Sequence, residues 1–207
     1  MKTVLCYGDS NTWGFVPNGN RRYGPDERWP CLLKTRLPEG FCIIEEGQPG
    51  RTTVHDDPFE KGRNGLDYLV PCLESHLPDL VVLLLGTNDL KAHYNLSAWE
   101  IARGAGRLVE EIQRYKTRFT GKVPQVLLVC PPPVVEVSEV TGKFRGAAEK
   151  SLQIEQHYRA EAEALGCAFF DAGSVVKSCP DEGVHWQEGE HRILANALAP
   201  QIIQLLS

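Results

Sequence analysis

Five short runs of branched and aliphatic residues, separated by stretches of helical periodicity, constrain the fold of this chain more than any other feature. The runs cover residues 4–7, 41–44, 80–85, 126–130 and 168–170, and Gly, Asp or Pro follows soon after each. Apolar runs without polar alternation belong to strands covered on both faces, the signature of a parallel sheet. Between them, Ser97 and Glu100 have the spacing of a capping box, and Ile101, Ala105, Leu108, Val109 and Ile112 then repeat along one helix face. A further helix is predicted over 147–165, stopped by Gly166, and a terminal one over 191–206 despite Pro200. Shorter helices are expected over 29–37 and over 65–77, the latter interrupted by Pro71. Strands alternating with helices predict a three-layer α/β/α sandwich with a five-stranded parallel sheet. At 207 residues, with no internal repeat and no linker, the chain is expected to form a single domain over 1–207.

The charge balance bears on partners. A formal net charge of −5 and no Lys/Arg run longer than two give no basic face for nucleic acid, so a small-molecule partner is expected. Met1 and Lys2 open directly onto a run too short for a secretory or membrane-spanning segment, which predicts a cytoplasmic protein with no membrane association. Seven cysteines, an odd number without a CxxC pair and mostly among apolar neighbours, read as reduced core thiols rather than metal ligands. No metal site and no cofactor are expected.

In open parallel sheets ligands bind beyond the carboxyl ends of the strands, so chemistry is expected in the segments that leave the strands. The first strand leaves into Gly8-Asp9-Ser10-Asn11-Thr12-Trp13-Gly14, where a serine on a sharp turn presents its hydroxyl beside backbone NH groups. The second leaves into a turn with Gly47, Pro49 and Gly50, whose NH groups are candidate anion donors. The third leaves into Gly86-Thr87-Asn88-Asp89, where the Asn88 amide is a neutral donor for a developing oxyanion. Late in the chain, Asp181 and Glu182 precede His185, and an imidazole needs such an acid to fix its tautomer before it can activate a serine. Each segment taken alone also fits a plain turn or helix cap. His55, His76, His93, His157 and His191 lack a strand-end loop with a local carboxylate and read as surface or core residues.

In this order along an alternating α/β chain, the four segments resemble the SGNH (GDSL-type) hydrolases, and the likeness covers nearly the whole sequence. Ser10, Gly50, Asn88 and His185 correspond to the residues that name that family. Arg28-Trp29, residues 45–53, the run Val129-Cys130-Pro131-Pro132-Pro133 and the stretch 170–174 are similar to its arylesterase and acyltransferase branch. The resemblance implies a flavodoxin-like sheet and a serine esterase acting on short-chain, acetyl-type esters of aryl or simple alcohols. It makes Ser10 the nucleophile and His185 the base, and it makes Ser10, Gly50 and Asn88 the oxyanion hole. Trp13 becomes a wall of the substrate pocket. Asp9 reads as a structural hydrogen-bonding residue under the nucleophile. The family places an aspartate three residues before the histidine; here that position is Glu182, while Asp181 lies four before, so the acid is Glu182 (or Asp181), with Glu182 in register.

The long loop 17–30 is expected to rim the site or join subunits, and a homo-oligomer follows from the resemblance. A carbohydrate acetylesterase or a lysophospholipase-like esterase could use the same machinery. A non-catalytic, flavodoxin-like ligand-binding module is the alternative of a different class, although no GxGxxG or GxxxxGK[ST] pattern follows any strand.

Overall fold

The computed structural model describes residues 1–19, 21–116, 121–137 and 141–207. Five parallel strands, β1 (Lys2–Gly8), β2 (Phe41–Gly47), β3 (Leu80–Leu84), β4 (Gln125–Cys130) and β5 (Ala168–Asp171), form one sheet in the order β2-β1-β3-β4-β5. The register sets Val4 opposite Ile43 on one side and Leu80 on the other. All five predicted strands are present. β2 runs three residues beyond its apolar stretch because pairing with β1 continues through Cys6, Tyr7 and Gly8.

Side chains alternate across a strand with period two, and this divides the core. Val4 and Cys6 of β1, with Val82, Leu84, Leu127 and Val129, face a layer made by α2 (Trp29–Lys34) and α8 (Glu188–Leu205). Leu5 and Tyr7, with Val81, Leu83 and Leu128, face α3 (Gly65–His76), α4 (Ala98–Arg114) and α7 (Ile154–Leu165). The result is the expected three-layer sandwich. The short helices α1 (Ser10–Trp13), α5 (Thr141–Phe144) and α6 (Ala147–Ser151) lie in the connections.

The capping box of α4 forms as read: the Ser97 hydroxyl accepts from the Glu100 NH, and the Glu100 carboxylate accepts from the Ser97 NH. Gly166 closes α7 in a left-handed conformation. The helix expected over 147–165 is instead two, α6 and α7. The Ser151 hydroxyl donates back to the Ala148 carbonyl at 2.7 Å and accepts from the Val134 NH at 3.1 Å, diverting the helix end to anchor the segment that leaves β4. α3 and α8 continue through Pro71 and Pro200, both of which sit on exposed faces where the carbonyl each leaves unpaired is open to solvent. Among the described residues, no helix is long and apolar enough to cross a membrane.

The loop 17–30, whose residue 20 lies outside the described residues, packs on its own chain. Tyr23 is buried with its ring 5.0 Å from His191, and Arg28 binds Glu45 through Nε at 2.5 Å and Nη2 at 2.8 Å.

Candidate active site

The chain leaves β1 through Gly8 into α1. A β-carbon on Gly8 would meet the Thr12 hydroxyl oxygen at 2.0 Å, so only glycine lets the helix start this tightly against the strand. Asp9 caps α1, its Oδ1 accepting from the Asn11 NH at 2.9 Å, and Gly14 ends it in a left-handed conformation. Ser10 is thereby held as the first residue of the helix, 5% exposed at the edge of a cleft of about 320 Å³.

Three other strand exits reach the same cleft. After β2, Gln48 NH donates to the Gly8 carbonyl at 3.1 Å, and Gly50, with φ +80°, lines the cleft. After β3, Asn88 donates one amide hydrogen from Nδ2 to the Arg51 carbonyl at 3.1 Å, leaving its second amide hydrogen for the cleft it lines. The late loop is tied to the exit of β4, where Val135 NH donates to the Gly183 carbonyl at 2.8 Å, and to α1 through Asn11 Nδ2 and the Val184 carbonyl at 3.3 Å. These anchors bring His185 over Ser10.

His185 Nε2 lies 2.9 Å from Ser10 Oγ, and His185 Nδ1 lies 2.8 Å from Glu182 Oε1. Glu182 Oε2 accepts from the backbone NH of Val184 at 3.0 Å and of His185 at 2.6 Å. Both side chains are mostly buried, at 16% and 12% exposure for His185 and Glu182. Burial works to raise the Glu182 carboxyl, but the hydrogen bond and charge of His185, with the two backbone NH groups, hold it below the ordinary glutamate value. Asp181 is exposed. Asp9 responds the other way: burial pushes its carboxyl up to about 6, against the opposing pull of the Asn11 NH and the positive potential of His185.

Ser10, Gly50, Asn88, Glu182 and His185 therefore all line one cleft, whereas Trp13 is not among its lining residues. The aromatic residue beside His185 is Phe15, which lines the cleft and stacks on the imidazole with ring centroids 4.3 Å apart. Gly14 turns the chain between the two rings, so proximity to Ser10 in sequence favours Trp13 while the left-handed turn delivers Phe15. Arg51 was also not legible as part of the site. It is 2% exposed, its Nη1 donates to the Gly8 carbonyl at 2.9 Å and to the Glu46 carbonyl, and its guanidinium lies 4.2 Å from the Tyr7 ring centroid.

Residues 6–192 match the GDSL-like lipase/acylhydrolase family. The chain belongs to this family. Its fold and family are those of carboxylic ester hydrolases. Among solved structures, this GDSL-type hydrolase is similar to an aryl esterase of M. smegmatis, at 39% identity over 99% of this chain and 100% of that one, with a TM-score of 0.95. It is equally close in fold to a carbohydrate acetylesterase of Sinorhizobium meliloti, at 37% identity, the same two coverages and a TM-score of 0.95. An acetylxylan esterase of Xylanibacter ruminicola is 23% identical over 96% of this chain, which spans 42% of that protein's length.

Proposed function

We propose that this GDSL-type hydrolase is a serine esterase that works through an acyl-enzyme on Ser10. The observation that carries the proposal is the unbroken hydrogen-bonded chain from Glu182 through His185 to Ser10 at the edge of the cleft. His185 takes the Ser10 proton as Oγ attacks the ester carbonyl, while Glu182 orients the imidazole and stabilises the imidazolium. The backbone NH groups of Ser10 and Gly50 and the free amide hydrogen of Asn88 receive the oxyanion. His185 then protonates the leaving alcohol, and water, or a second alcohol in acyl transfer, takes the acyl group from Ser10. The protein groups supply every proton transfer in this sequence.

A cleft of about 320 Å³, walled by Phe15, Pro49, Phe144 and Val184, suits short acyl groups, acetyl foremost, on aryl or simple alcohols. The likeness to an aryl esterase supports the same reading. One observation favours an acetylated sugar as a second reading. A smaller pocket formed by Asp57, Phe59, Glu60, Lys91, His93 and Lys143 adjoins the cleft through Glu60, Lys91 and Lys143. Its exposed Phe59 ring and charged groups are of the kinds that stack on and hydrogen-bond to a sugar ring.

The proposal extends to a small-molecule substrate, a cytoplasmic location consistent with seven free cysteines, and a homo-oligomer. Exposed Val135 and Leu152, which line an apolar hollow, are surfaces that such an assembly would cover, and light scattering measures its mass.

Covalent labelling by a fluorophosphonate tests the chemistry. Labelling of the intact protein that is lost in Ser10→Ala is the expected result; an unlabelled intact protein supports a non-catalytic ligand-binding module instead. Turnover of p-nitrophenyl acetate against longer acyl esters and acetylated xylose then separates the substrate readings. A KM raised in Phe59→Ala for the sugar ester alone identifies the sugar.

A further inference from the structure

Between β2 and α3, three side chains of different chemistry converge. Glu46 lies near the carboxyl end of β2, and Cys72 and His76 stand one turn apart on the same face of α3. One potential ligand atom from each, a carboxylate oxygen, the thiol sulfur and a ring nitrogen, lies within 4.8 Å of the other two. His76 Nε2 is already 2.8 Å from Glu46 Oε1, and Cys72 is 1% exposed. Glu46 also lines a cavity of about 480 Å³ together with Asp67 and Tyr68.

We propose that Glu46, Cys72 and His76 form a binding site for a zinc-class divalent transition metal ion, with solvent from the adjoining cavity at the fourth position. The donor set joins one soft sulfur, one imidazole nitrogen and one hard oxygen, the mixture that zinc accepts in tetrahedral geometry. Ligand atoms on one zinc lie roughly 3.3–3.7 Å apart, so closing the site needs side-chain movements on the order of 1 Å. On binding, the Cys72 thiol loses its proton to solvent and the His76 proton resides on Nδ1, freeing Nε2 for the metal. The thiolate and the Glu46 carboxylate together neutralise the ion. Without metal, the contact of 2.8 Å between His76 Nε2 and Glu46 Oε1 already holds two of the three ligands together. An ion here fastens the end of β2 to α3, four residues ahead of Gly50. Absence of a CxxC pair hides this site in the sequence, because its ligands come from two elements packed together.

Cobalt(II) titration of the reduced, chelator-treated protein is the test. The expected result is one bound equivalent with a thiolate-to-cobalt band in the near ultraviolet and four-coordinate visible bands, both bleached by Zn2+. Cys72→Ala removes the near-ultraviolet band, and His76→Gln and Glu46→Gln each weaken binding at least about tenfold. No thiolate band on the intact protein, or a band that survives in Cys72→Ala, overturns the proposal. Should Cys72→Ala show no cooperative melting, undiminished cobalt affinity in His76→Gln overturns it equally. The readout does not involve ester hydrolysis, so it stands or falls apart from the esterase reading.

Discussion

Glu182 holds His185 from two directions: Oε1 meets the ring at Nδ1, 2.8 Å away, and Oε2 accepts the backbone NH of the same residue at 2.6 Å. Asp181, exposed at the loop surface, has no comparable position. If Glu182 is the acid of a serine triad, Glu182→Ala lowers kcat by about 10^4, the cost typical of such an acid, whereas Asp181→Ala leaves kcat near that of the unaltered protein. Steady-state kinetics on p-nitrophenyl acetate measure both, and near-normal turnover by Glu182→Ala would remove it from the mechanism.

Asn88 spends one amide hydrogen on Arg51 and keeps the other for the cleft. If Asn88 is an oxyanion donor, as proposed, it acts in the transition state more than in the ground state. Asn88→Ala is therefore expected to lower kcat about 10^2- to 10^3-fold with little change in KM. A rise in KM at constant kcat would instead make Asn88 a ground-state binding residue.

Arg51 links three strand exits: its guanidinium holds the Gly8 carbonyl before Ser10, its own carbonyl holds Asn88, and it directly follows Gly50. Arg51→Met should lose about 1.5–3 kcal/mol of stability for each charge-assisted hydrogen bond that is not replaced. Activity falls along with it, because the groups converging on the cleft lose their common anchor. Thermal melting and kcat measured on the same preparation check this, and full activity at reduced stability would confine Arg51 to the scaffold.

His191 is fully buried against Tyr23 and Trp186, its Nδ1 accepting from the Trp29 NH at 3.4 Å. Burial, with a smaller push from His185, lowers its pKa to about 3. The unfolded chain takes up a proton here near pH 6.5 that the folded protein refuses until about pH 3, so this group makes stability fall as pH drops through that window. The loss is about 1.4 kcal/mol per pH unit. His191→Gln, which keeps an acceptor, should melt at a temperature less sensitive to acid than the unaltered protein between pH 6.5 and 4. Parallel melting curves across that range would exclude the effect.

Much of this architecture was legible because strands and helices write short-range patterns. The five apolar runs, the capping box at Ser97 and the stop at Gly166 each report on residues within a turn or two of themselves. The helix over 147–165 failed for the opposite reason, since the Ser151 hydroxyl that interrupts it answers to Val134, 17 residues away. Phe15 was missed in favour of Trp13 because a left-handed Gly14 redirects the chain in a way that residue type alone does not reveal. Arg51 was missed because a buried arginine is recognised only by the carbonyls around it.

From the sequence by itself came the α/β alternation, the strand ends where chemistry belongs, and the four segments bearing Ser10, Gly50, Asn88 and His185, since period and turn chemistry are local properties of the chain. Tertiary structure alone decided that Glu182 and not Asp181 reaches His185, that Phe15 and not Trp13 walls the cleft, and that Glu46 meets Cys72 and His76. Those choices depend on packing between distant segments, as with Ser10 and His185, 175 residues apart and 2.9 Å from each other, and differences of an ångström in packing leave no periodic trace in the order of residues.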